Sequence, residues 1–228
     1  MSTAVAIFVK TPGLSPVKTR LANDIGVENA ERFHRMAAAA VAEVVAAQVG
    51  VEPYWAVAEP HALGHPMWRE FPTIRQGPGG LGARLNKICC ELQSRYGRVL
   101  MIGADAPQIS GKLLNQACDA LDKPDSPHVL GRATDGGFWL FGTRIPIAGR
   151  VWQSVTYSRD DTADQLFARL RQHGNVALLP TLTDADRGGD LSALIAALNA
   201  LPSPLPAQLM LCEWLYQRCP ATHGSVSE

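Results

Sequence analysis

The sequence carries no excess of charge of either sign: 21 Lys and Arg stand against 21 Asp and Glu in 228 residues. Long-range attraction to nucleic acid or to an anionic membrane surface therefore has no electrostatic basis, and recognition of an anion must be local. Cysteines are few. The five, Cys89, Cys90, Cys118, Cys212 and Cys219, are odd in number and show no C-x-x-C spacing, which speaks against a disulfide framework and a zinc site. Such usage suits a reducing compartment, and a cytoplasmic location is expected. The alanine- and valine-rich stretch from Met36 to Val49 carries Glu43 and falls short of a membrane span. The first apolar run, Ala4 to Val9, lacks the charged flank and cleavage site of a secretion signal. Neither H-E-x-x-H nor G-x-S-x-G occurs, so metallohydrolase and serine-hydrolase chemistry have no motif to rest on.

What is present is an alternation of strands and helices. Ala4–Val9 reads as a buried strand, and a turn-rich loop and a helix follow it. Glu28–Gln48 has helical composition, with Val27, Ala30, Phe33, Ala37, Val41, Val44 and Val45 favouring one broad face. Strands are expected at 54–58, 98–103, 128–131, 138–141 and 176–179, with a short extended piece at 72–76. Helices are expected at 81–96, from a Ser110 cap to Leu121, at 158–173, 189–200 and 205–218. This order predicts an α/β fold, a three-layer α/β/α sandwich around a mostly parallel sheet. The expected organisation is a nucleotide-binding catalytic domain over residues 1–200, a C-terminal helical extension over 201–221 and a disordered tail over 222–228.

In such sheets ligands bind beyond the carboxyl ends of the strands, so the polar residues there deserve the closest reading. The loop after the first strand, Lys10-Thr11-Pro12-Gly13-Leu14-Ser15-Pro16-Val17-Lys18-Thr19-Arg20, gathers Lys10, Lys18 and Arg20. Cations so placed suit a polyphosphate, because Lys and Arg make strong charge-assisted bonds to phosphate oxygens. It is not a P-loop: Val17 stands where the last glycine belongs, and Pro16 removes an N–H. Asp105, between an apolar strand and Pro107, is placed either to hold a divalent cation or to cap a turn. Asp184, Asp186 and Asp190 crowd together with Arg187 among them, which fits a metal or a capped, salt-bridged helix start. Asp135-Gly136-Gly137 reads as a hairpin turn or as a close approach to a ligand. Gly79, Gly80 and Gly82 lead into a helix bearing Arg84, an arrangement open to a base, a phosphate or a plain loop.

Three segments resemble one family: Phe8–Ala22 around the cationic loop, Ile-Gly-Ala-Asp-Ala-Pro at 102–107, and Thr-Asp-Gly-Gly-Phe-Trp-Leu-Phe-Gly at 134–142. Weaker matches are 79–84, 155–158 and 184–191, all in family order. The chain resembles the bacterial DUF2064 proteins of the nucleotide-diphospho-sugar transferase, or GT-A, superfamily. Its first motif is also similar to that of 2-phospho-lactate guanylyltransferases. The chain departs from the family pattern at Gly80, Tyr157 and Arg187.

The resemblance implies a GT-A fold with a nucleotide at the strand ends. Lys10, Lys18 and Arg20 would meet its phosphates, with Gly79, Gly82 and Arg84 also on the nucleotide. A Mg2+ or Mn2+ ion would sit on Asp105, with Asp186 or Asp190 as the second carboxylate. The expected activity is metal-dependent transfer from a nucleotide sugar to a small-molecule acceptor, with Lys18, Arg20 and Asp105 in catalysis and Asp135 as acceptor contact or base. Nucleotidyl transfer from a nucleoside triphosphate, and nucleotide binding without catalysis, are the alternatives. The sequence leaves the oligomeric state open.

Overall fold

The computed structural model describes residues 2–218. The tail expected at 222–228 lies outside the described residues. The central sheet has seven strands: β1 (Thr3–Val9), β2 (Val51–Val57), β3 (Thr73–Arg75), β4 (Val99–Gly103), β5 (His128–Ala133), β6 (Phe138–Thr143) and β7 (Val176–Leu182). Their spatial order is β3-β2-β1-β4-β6-β5-β7. All neighbouring pairs are parallel except those of β6, which runs antiparallel to both β4 and β5. The helices are α1 (Thr19–Ile25), α2 (Val27–Ala46), α3 (Leu81–Tyr96), α4 (Gly111–Asp122), α5 (Gly149–Gln153), α6 (Thr162–Leu170), α7 (Leu191–Asn199) and α8 (Pro206–Arg218). Among the described residues no helix is long and apolar enough to cross a membrane.

The two-residue period of the strands divides the core. On β1, Val5, Ile7 and Val9 join Leu100 and Ile102 of β4 against α2 and α4. Ala4 and Ala6 join Val99 and Met101 on the other face, against α3, α5 and α6. Strands buried on both faces need near-continuous apolar runs, which is why β1 and β4 are legible in the sequence. Helix α2 is apolar on two sides. Val41, Ala42 and Val45 meet the sheet, while Ala30, Phe33 and Ala37 meet α7 and α8 through Leu194, Leu211 and Leu215.

Three details differ from the sequence reading. Strand β2 begins at Val51 rather than 54, with Pro53 inside it. The N–H of Trp55 donates to Pro72, so Pro53, two residues earlier, turns its missing donor to that same side, where β3 has not yet begun. The helix expected from Ser158 starts at Thr162, because Ser158 itself is left-handed at φ 62°. Helix α5, only five residues long, left no periodic signal.

One buried group makes the fold acid-sensitive. The His128 side chain is fully buried on β5 and meets Thr143 Oγ1 through Nδ1 at 3.0 Å. That hydroxyl donates to the Ile145 carbonyl, so Nδ1 carries the proton and Nε2 is left without a partner. Burial, with the positive charges of His173 and Arg144, pushes the imidazole down to about 4. The unfolded chain binds this proton near pH 6.5. The contribution to stability is therefore complete above that pH and is lost as pH falls toward 4. Urea unfolding at pH 7 and pH 4.5 should show that His128→Gln removes roughly 2 kcal/mol of the wild-type loss.

Candidate active site

The loop after β1 is fastened before it delivers its cations. The Thr11 N–H donates to Glu59 Oε2 at 3.0 Å, and Trp68 Nε1 donates to Thr11 Oγ1 at 3.0 Å. His34 Nε2 bonds the Lys10 carbonyl at 3.0 Å. Burial pushes the Glu59 carboxyl up, but hydrogen bonds from Ser15 and Thr11 outweigh it and hold the group below its usual range. The loop ends at Lys18, which adopts φ 45° and ψ 46° at the start of α1. A left-handed residue with a β-carbon costs about 1 kcal/mol and persists where surrounding contacts over-determine it.

Those contacts are carboxylates. The Lys18 side chain is 3% exposed, with Nζ 3.2 Å from Asp105 Oδ2, 2.9 Å from Asp184 Oδ1 and 3.9 Å from Asp186 Oδ1. Arg20 Nη1 lies 2.8 Å from Asp186 Oδ2, and His34 Nδ1 is 3.5 Å from Asp105 Oδ1. Burial alone would lower the Lys18 ammonium, but the charges of Asp105, Asp184 and Asp186 raise it above its ordinary value. Burial would raise Asp105, yet Lys18 and His34 hold it well below the usual carboxylate range. Asp184 goes the other way: burial, reinforced by the negative charge of Asp105, raises it against the pull of Lys18.

Buried amides tie the supporting loops together. Gln108 Nε2 donates to the Thr183 carbonyl at 2.7 Å, linking the segment of Asp105 to that of Asp184. Gln208 on α8 donates to the carbonyls of Pro107 and Ile109, both at 2.8 Å. On the far side, Asp135 sits in the β5–β6 hairpin and accepts from the Gly137 N–H at 2.8 Å. Gly136, at φ 86°, is pressed onto the Ser158–Asp161 segment, and a Cβ there would lie 1.9 Å from the Asp160 carbonyl oxygen.

These pieces enclose a groove of about 1030 Å³ along the strand ends. Lys10, Lys18, Arg20, Asp105, Asp135 and Asp186 line it, as do Gly79 and Arg84. Two residues from the sequence reading are turned elsewhere. Asp190 accepts the backbone N–H groups of Asp186 and Arg187 at 3.0 and 2.7 Å, the capping geometry. Gly82 faces α5: a Cβ would stand 2.7 Å from the Trp152 carbonyl and from the Tyr157 ring, so a packing demand accounts for this glycine. Asp184, weighed in the sequence beside Asp186 and Asp190 but not among the expected metal ligands, joins the site, as do His34, Glu59 and Gln76, which the sequence does not single out. For Asp184 a signal existed, since i and i+2 in an extended segment share a face with Asp186, whereas Asp190 begins a helix. His34, Glu59 and Gln76 reach the site only through tertiary contacts and left none.

The donor chemistry fits a hard divalent cation. The three carboxylates supply the oxygens Mg2+ and Mn2+ prefer, and among the described residues Asp105 Oδ1 has only His34 Nδ1, at 3.5 Å, close to it. Among the described residues, however, no three His, Cys, Asp or Glu side chains already form a metal-binding group. The Lys18 ammonium stands between the carboxylates, so it and a divalent cation compete for the same oxygens.

Residues 34–159 match the profile of a family described as an uncharacterized protein conserved in bacteria, DUF2064. The chain belongs to this family. No curated protein matches it significantly. Among solved structures, this DUF2064 chain is similar to a protein from Desulfovibrio desulfuricans G20 described provisionally as a nucleotide-diphospho-sugar transferase. The two are 22% identical with a TM-score of 0.81, covering 95% of this chain and 98% of that one. It is also similar to a CMP:2-keto-3-deoxy-manno-octonic acid synthetase complexed with CTP, at 14% identity and a TM-score of 0.56, over 87% and 99% of the two chains. A mannosyltransferase from Pyrobaculum calidifontis, in complex with GDP-Man and Mn2+, is 13% identical with a TM-score of 0.51, over 95% of this chain and 70% of that one. At these identities the likeness is one of fold, and the fold is of the nucleotide-diphospho-sugar transferase kind.

The hairpin clamp gives a direct test of the site's construction. Gly136→Ala should cost at least ~2 kcal/mol in chemical denaturation, through strain at positive φ and a clash with backbone. Gly189→Ala, with nothing within 4 Å of its Cβ, should change stability far less.

Proposed function

We propose that the chain is a transferase that uses a nucleotide-activated substrate, with glycosyl transfer from a nucleotide sugar as the leading reaction. The observation that carries this reading is the Lys18, Arg20, Asp105, Asp184 and Asp186 cluster on the floor of an open groove at the carboxyl ends of the strands. Its support from the comparisons is the fold shared with proteins bound to CTP or to GDP-Man and Mn2+.

In this reading Lys10, Lys18 and Arg20 bind the phosphates and stabilise the negative charge that grows on a departing nucleoside diphosphate. An acceptor hydroxyl attacks the anomeric carbon, its C–O bond forms as the bond to the diphosphate breaks, and Asp135 takes the hydroxyl proton. Asp135 is suited to this by position, since it lines the same groove as the cluster. Asp105, Asp184 and Asp186 would hold a divalent cation, which would supply further neutralisation of the diphosphate. With the carboxylates so neutralised, the Lys18 ammonium would be free to turn to the phosphates.

Nucleotidyl transfer is the second reading. Lys10 is exposed on the same groove as Arg20, offering positive charge beyond the buried cluster for a triphosphate. The two are separated by thermal shift of the purified protein with nucleotide sugars and nucleoside triphosphates, with and without Mn2+. The expected result is a Mn2+-dependent rise with one nucleotide sugar, and at least ~10-fold weaker Mn2+-dependent binding in Asp105→Ala. A rise confined to triphosphates favours nucleotidyl transfer. Nucleotide binding that ignores both Mn2+ and Asp105→Ala leaves a binding protein without catalysis. No shift with any nucleotide overturns the assignment of the groove.

A further inference from the structure

On the β2 side of β1 the groove contains a preset guanidinium. Gln76, just beyond β3, is 5% exposed, and both of its amide protons are taken, by the Val9 carbonyl at 3.2 Å and the Ala56 carbonyl at 2.8 Å. Its orientation is thereby fixed and its Oε1 turns outward, where Arg84 Nη1 meets it at 3.4 Å. Arg84 Nε donates to the Gly79 carbonyl at 3.0 Å. The guanidinium is thus held on two sides by groups anchored in the sheet and in the glycine turn. Of its five N–H bonds these contacts use two, and one on Nη1 and both on Nη2 remain for a ligand in the groove that Arg84 lines.

Position says what part of a ligand would meet it. Arg84 meets the Gln76 amide, which bridges the ends of β1 and β2, whereas the phosphate-binding cluster lies between the ends of β1 and β4, so the two flank β1. A nucleotide whose phosphates lie on the β4 side of β1 would set its base on the β2 side, where Arg84 stands. The walls near Arg84 include Phe8, Leu81 and Leu85, an apolar setting for a flat ring rather than for a phosphate. A planar fork with fixed direction pairs best with two neighbouring acceptors in one plane. Guanine offers such a pair at O6 and N7, and cytosine at O2 and N3. Adenine sets its N7 beside an amino donor, and uracil sets each carbonyl beside an N–H donor.

We propose that Arg84 selects the nucleobase, admitting one that presents two adjacent hydrogen-bond acceptors and disfavouring adenine and uracil. The inference rests on the nucleotide reading of the groove. It assigns Gln76 a positioning role, fixing the guanidinium without touching the ligand.

The test is calorimetric titration of the full chain with GDP, CDP, ADP and UDP, in wild type, Arg84→Lys and Arg84→Met. The expected result is that GDP or CDP binds wild type about tenfold more tightly than ADP and UDP, the better of the two naming the base. Arg84→Lys, which keeps the charge and removes the fork, should bring that nucleotide down to the level of ADP and UDP. Equal binding of all four by wild type overturns the inference while leaving the nucleotide site intact. So does an equal loss for all four in both variants, which would mean that the guanidinium only braces the Gly79 turn. Binding of none of the four overturns the nucleotide reading itself, and the inference with it.

Discussion

The buried ammonium of Lys18 is the interaction on which the rest of the site depends. Three segments far apart in sequence, the loops after β1, β4 and β7, bring their charges to one point, where Lys18 is buried and the carboxylates stay partly exposed. Three carboxylates so close together repel one another unless a cation stands among them. In this structure the cation is a side chain. Removing one partner from a buried charge cluster leaves the others uncompensated, so the groups hold one another in place. The lowered pKa of Asp105 is a consequence of that arrangement, and the left-handed backbone of Lys18 sits at its centre.

Around the cluster the fold is braced by amides rather than by further charge. Gln76, Gln108 and Gln208 are buried, and each spends its side-chain N–H groups on backbone carbonyls of loops or strand ends. Such buried hydrogen bonds fix geometry without adding charge to a site whose electrostatics are already crowded. Gln208 gives α8 a function in this bracing, since it holds the loop that presents Asp105. The groove therefore has a rigid charged end and a rigid planar end, joined along the strand termini.

The layered fold was legible because β1 and β4 must be apolar throughout to be buried on both faces, and because α2 and α3 carry a sustained helical period. The cationic loop and Asp105 were legible for the same reason: they follow at once on those strands. What the sequence concealed was partnership. Lys18 and Arg20 stood out as phosphate ligands, but nothing local shows that they are held by Asp184 and Asp186, 166 positions on. Arg187, within the acidic run, was the arginine offered by proximity in sequence, yet its side chain is exposed and the neutralising role falls to Lys18 and Arg20. Gly82 could be read as a ligand glycine because the Trp152 carbonyl and Tyr157 ring that require it lie seventy residues or more away.

If Lys18 and a divalent cation share one set of oxygens, the lysine must suppress metal binding in the nucleotide-free protein. Mn2+ titration followed by electron paramagnetic resonance, on wild type and Lys18→Met without nucleotide, tests this directly. The account predicts weak binding to wild type and binding tighter by at least about tenfold in the variant, since the Coulombic competitor is gone. Equal or weaker Mn2+ binding by a folded Lys18→Met protein would contradict it.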